Sequence, residues 1–130
     1  MRAYIAVAGA LLLAACYHGP SIDTFEPVQG PHGVTADLRF EDTRVRGELL
    51  EVQDTTLLVL TDSNKVVSVP LRSIRVGTFD KLDTMISEGM ELQSALAALR
   101  PFSRFPTGLT PALRARLLAA YGQAEAQVVR

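Results

Sequence analysis

Val34-Thr35-Ala36-Asp37-Leu38-Arg39-Phe40-Glu41 is the stretch on which the fold turns. Apolar residues at 34, 36, 38 and 40 alternate with polar ones at 35, 37, 39 and 41, the two-residue period of a strand with one buried face. Past Asp42-Thr43 the alternation resumes, with Val45, Gly47 and Leu49 inward and Arg44, Arg46 and Glu48 outward. The phase breaks at Leu49-Leu50, where Leu50 and Val52 take over; Gly47 beside such a break predicts a bend or bulge. Asp54-Thr55 and Asp62-Ser63-Asn64 are turn sequences that bracket a third strand over 56–61 and a fourth over 65–69. Pro70 ends the fourth, Leu71-Arg72-Ser73 predicts one tight helical turn, and residues 74–79 return as a fifth strand.

Five short strands joined by tight hairpins predict a small, strongly bent barrel. The layout Val45-x-Gly47-x-Leu49, Asp54, Leu57 to Leu60, Val66 to Val69 and Ile74-Arg75-Val76-Gly77 resembles the small SH3-like barrels, closest to their Sm-like branch, over residues 34–79. In Sm-like proteins the second-strand motif leads to an aspartate and then an asparagine that contacts RNA bases. Here Asp54 stands one position late, Leu57 or Leu58 replaces the asparagine, and Val76 separates Ile74-Arg75 from Gly77. The resemblance implies the barrel and no nucleic-acid partner.

Residues 80–130 read as two helices. Asp80 is the expected N-cap of the first, whose stripe is Leu82, Met85, Ile86, Leu92, Leu96 and Leu99, and Pro101 stops it. Thr110-Pro111 opens the second, with Leu113, Leu117, Ala120, Tyr121, Ala124 and Val128 on its inner face. The expected fold is mainly β with α: a five-stranded SH3-like (Sm-like) barrel over 34–79, then a two-helix region over 80–130. With one cysteine and no tryptophan, the core must be aliphatic and cannot be stapled by a disulfide.

Ahead of the barrel, Arg2 precedes an apolar and small-residue run over 3–13 that ends in Leu13-Ala14-Ala15-Cys16. This reads as a secretory signal over 1–15, too short to span a bilayer as a retained helix. It resembles the lipobox of bacterial lipoproteins. The resemblance implies that Cys16 becomes the first mature residue, with a diacylglyceryl group on its sulfur and an acyl chain such as palmitate on its amine. A buried methylene contributes about 0.8 kcal/mol, so two or more chains hold where one is marginal. Tyr17 occupies the position where an aspartate favours inner-membrane retention in enterobacterial lipoproteins, which points to the outer membrane, facing the periplasm. Residues 16–33, with Gly19, Pro20, Pro27, Gly30, Pro31 and Gly33, read as the lipidated cysteine and a tether that lifts the domain off the bilayer.

No constellation for catalysis, metal or cofactor emerges. His18 and His32 fall in the linker, where no cysteine or carboxylate partners stand at matching spacing. Asp80 and Asp83 suit the first turn of a helix, and the serines have no positioned histidine. Gly30-Pro31-His32-Gly33 lacks the strand and the lysine of a phosphate loop. Charge is lopsided: residues 17–99 carry 13 acidic and seven basic side chains, residues 100–130 five arginines against Glu125. A basic tail packed near an acidic body is the simplest account.

Arginines interleaved with phenylalanines in 99–108 make Arg100, Phe102, Arg104 and Phe105, with Arg114 and Arg116, the candidate interaction surface. The alternative for Phe102 and Phe105 is a place in the packing. The function expected is a non-catalytic binding or scaffolding module in the bacterial cell envelope, held at the membrane by Cys16 and recognising another envelope protein. Contact of the basic C-terminal helix with anionic lipid or glycan is the alternative, and a hydrolase or transferase the remotest. The residues set no oligomeric state.

Overall fold

The computed structural model describes residues 33–129. The signal sequence over 1–15, Cys16, the tether as far as residue 32, and both histidines lie outside the described residues. Five strands stand where the alternation puts them: β1 (Thr35–Arg39), β2 (Arg44–Val52), β3 (Thr56–Thr61), β4 (Val66–Pro70) and β5 (Val76–Phe79). A 3-10 turn over Leu71–Ser73 links β4 to β5, as the proline and the tight turn predicted.

Two further strands, β6 (Met85–Ser87) and β7 (Gln127–Val128), complete one open sheet of order β6-β5-β1-β2-β3-β4-β7. All neighbours are antiparallel except β4 and β7. Two helices, α1 (Gln93–Leu99) and α2 (Pro111–Ala120), accompany the sheet. The protein is mainly β with two helices.

The inner face of the sheet carries the larger core: Leu38, Leu49, Val52, Leu57, Val59, Val69, Phe79 and Ile86, closed by Ala95, Leu96 and Leu99 of α1. A smaller core lies on the outer face, where Leu50, Leu58 and Val66 pack against Leu117 and Leu118 of α2, with Phe105 and Tyr121 at the margin. The register of β2 on β3 shifts between Leu49 and Glu51. The bulge predicted near Gly47 falls here. It returns Val52 to the inner core while Leu50 joins the outer one, so Leu50 and Val52 do not share a face as the sequence suggested. Gly47 itself is obligatory for a different reason: a Cβ there would sit 2.0 Å from the Leu60 carbonyl oxygen.

Beyond residue 79 both helices are shorter than expected. Asp80 caps no helix, and Asp83 lies outside one. Lys81 and Gly89 take positive φ, and between them Met85–Ser87 adds to β5 as an edge strand with Ile86 inward. The apolar spacing of Leu82, Met85 and Ile86 suits a turn and a short strand as well as a helix, and pairing with β5 decides between them. Glu91 caps α1 instead, its carboxylate accepting from the Gln93 and Ser94 amides at 2.7 and 3.3 Å. Thr110 caps α2 as expected, its hydroxyl accepting from Leu113 N at 3.2 Å. That helix stops at Ala120 rather than running to Val128. Gly122 adopts φ +70, and the Gly122 and Gln123 amides return to the Ala119 and Leu118 carbonyls, the Schellman arrangement.

Candidate interaction surface

Two carboxylates of β2 organise the outer face. Glu48 and Glu51 are both buried, and a buried carboxylate requires a cation and hydrogen bonds to remain ionised. Arg104 meets Glu48 at 2.8 Å, each side chain about 5% exposed (6% and 5%). The Gly33 amide donates to the same oxygen at 2.9 Å. Arg114, from α2, meets Glu51 at 2.9 Å, Gln53 donates at 2.5 Å, and the Leu109 amide donates to the other oxygen. Backbone bonds reinforce the seam: Arg104 N to Leu49 O at 3.0 Å and Phe105 N to Leu50 O at 2.9 Å. Burial pushes up the pKa of the half-buried Tyr121 hydroxyl, with Arg104 pulling it the other way.

The basic tail thus closes on the acidic body through two specific pairs. Of the residues singled out from the sequence, Arg104 and Arg114 serve this seam and Phe105 joins the outer core. Arg100 is half-buried, its Nε 3.5 Å from the Val52 carbonyl. Arg116 is exposed on α2. Phe102 alone among the phenylalanines considered stands out, 47% exposed. Arg100 and Arg114 line one open cleft with Glu51, Gln53 and Asp54, while Phe102 lines another.

The seam covers only half of the outer face, over β2, β3 and β4. Among the described residues, nothing covers the half formed by β6, β5, β1 and the start of β2. Strand register places Met85, Thr78, Asp37 and Arg46 in one row across it, and Ser87, Val76, Arg39 and Arg44 in the next. Val76 and Met85 are 40% and 47% exposed there, where an alternating strand ordinarily shows polar side chains. Arg44 grips Asp37 with Nε at 2.7 Å and a second bond from Nη2. Those bonds hold the Asp37 carboxyl below the ordinary aspartate value against the opposing effect of desolvation, with Arg39 and Arg46 adding smaller pulls.

Two open clefts run along this half. One, of about 380 Å³, is lined by Gly33, Val34, Thr35, Asp80, Lys81, Pro101, Phe102 and Ser103. The other, of about 360 Å³, is lined by Thr35, Asp37, Arg46, Thr78, Phe79, Asp80 and Lys81. Shared walls at Thr35, Asp80 and Lys81 make them one groove beside β1. Among the described residues no hydrogen bond or ion pair holds the side chains of Arg46 and Lys81. Sequence reading passed over this face because nothing in Val76, Met85 or Arg46 says which half α2 will cover.

Comparison of the chain with protein-family models, with curated proteins and with solved structures finds no match to any of them.

Proposed function

We propose that this chain is a bacterial envelope lipoprotein, anchored through Cys16, whose β domain is a non-catalytic binding or scaffolding module for another envelope protein. The lipobox-like Leu13-Ala14-Ala15-Cys16 supports the anchor, and Tyr17 in place of an aspartate supports placement at the outer membrane. The order β5-β1-β2-β3-β4 with a 3-10 turn before β5 supports reading residues 34–79 as an SH3-like unit, here with β4 and β5 unpaired and the sheet extended at both edges. One observation carries the binding role: an uncovered half of a sheet face on which Val76 and Met85 are exposed beside arginines. The exposed apolar side chains gain by burial against a partner, and the surrounding charges set its orientation.

Affinity purification from crosslinked envelopes tests this reading. A reproducible protein partner is expected with the parent chain and lost when Val76→Glu and Met85→Glu are combined. Repeated recovery of nothing, or of the same protein with the double variant, counts against it. The anchor is tested separately: intact mass of membrane-extracted protein should show a chain beginning at an acylated Cys16, and Cys16→Ser should abolish that species. Contact of the C-terminal helix with anionic lipid or glycan has less support, because Arg114, one of the two arginines on that helix, is committed to Glu51.

A further inference from the structure

We infer that the groove beside β1 receives an extended, acidic segment of the partner protein, an inference that rests on the open face being the binding face. Three observations carry it. The groove is concave and follows β1 from Gly33 to Asp37, about 13 Å at the rise of a strand, which suits roughly four extended residues and does not suit a flat bilayer. Its two ends differ in chemistry. Phe102, 47% exposed, forms an apolar wall at one end, while Arg46 stands at the other and Lys81 lines both halves.

The charge balance is the third observation. Arg39, Arg44, Arg46 and Lys81 lie on or beside this face against Asp37 and Asp80, and Asp37 is already claimed by Arg44. Among the described residues the cations left over have no ion pair, and Lys81 is held at φ +64, a conformation that non-glycine residues seldom adopt. A segment with an apolar residue followed by two acidic ones would place the apolar side chain against Phe102 and the carboxylates on Lys81 and Arg46. Charged groups in such grooves set specificity and approach rate more than affinity.

The test uses the full chain in its own envelope with a photo-crosslinking amino acid at Thr78 or, outside the groove, at Ser87. From Thr78 the expected adduct maps to a partner peptide rich in Asp or Glu. Its yield should fall about tenfold when Arg46→Gln and Lys81→Gln are combined, as two half-exposed ion pairs near the upper end of their usual strength predict. Arg72→Gln, an exposed cation in the 3-10 turn, should leave the yield unchanged. An adduct on a peptide without acidic residues, on lipid or on glycan overturns the inference, as does a yield indifferent to the double variant. A protein adduct from Ser87 alone overturns the groove but leaves the binding face standing. No protein adduct from either position removes both.

Discussion

Glu48 and Arg104 show what a single residue does to this fold. Paired, they form a nearly dry ion pair whose net worth is small, because desolvating two charges offsets most of their attraction. Removing one partner is another matter. Arg104→Ala leaves the Glu48 carboxylate buried without its guanidinium, and should destabilise by about 3–5 kcal/mol in chemical denaturation. Combining Glu48→Leu with Arg104→Met should recover most of that loss. If the double variant were no more stable than Arg104→Ala, the carboxylate would not be the source of the penalty. Asp37 titrates at the same scale. Its folded pKa is depressed, chiefly by hydrogen bonds from Arg44, so the contribution is complete above the ordinary aspartate value near 3.8 and is lost as pH falls through the folded value. Carboxyl-carbon titration should show the depressed midpoint, and Arg44→Gln should raise it.

Among the elements, helix ends and strand edges are where composition and contacts disagree. The first five strands were legible because alternation at 34–40 and 44–49 survives in the structure almost position by position. Strands of two and three residues, β7 and β6, carry no period to read. The run Leu57-Leu58-Val59-Leu60 held a signal that was passed over: apolar side chains on both faces of a strand require a second covering layer, here α2. Gly122 held another. The apolar spacing alone carries the helix to Val128, but a glycine after an apolar helical run is a stop signal. Gly122→Ala should cost about 1 kcal/mol through its positive φ, measured as a lowered denaturation midpoint at unchanged m-value. Thr110→Ala should cost a similar amount, about 1 kcal/mol, by freeing the Leu113 amide.

At the level of the whole molecule, the chain closes its own sheet. The Gln123 amide mimics a neighbouring strand, accepting from Val66 N at 2.7 Å and donating to Val66 O at 2.9 Å. β7 then covers Val67 and Ser68. At the opposite edge Met90 folds back on Ser87, whose amide meets the Met90 sulfur at 3.2 Å while Met90 N meets Ser87 O at 3.2 Å. Both edges are therefore blunted by local devices, a familiar defence against unwanted strand addition. Deleting residues 123–130 should bare β4 and make the apparent mass rise with concentration more steeply than that of the parent chain, visible by light scattering. A truncated chain of unchanged mass would mean that β4 needs no cover. The candidate surface was illegible in the sequence for the same reason that the covering of the β4 edge was. Both depend on where the last thirty residues dock, and that docking is decided by Glu48 and Glu51, which alternation alone assigns to solvent.

β1 lies in the interior of the sheet, bonded to β2 on one side and β5 on the other, and it begins at Thr35, two residues after Gly33. Tension arriving from the N-terminal side is therefore delivered along a strand flanked on both sides, so many hydrogen bonds share the load at once. Tension from the C-terminal side meets the two-residue β7 first, which can unzip one bond at a time. A domain pulled from its N-terminal side should withstand far greater force in a single-molecule experiment than one pulled by its tail.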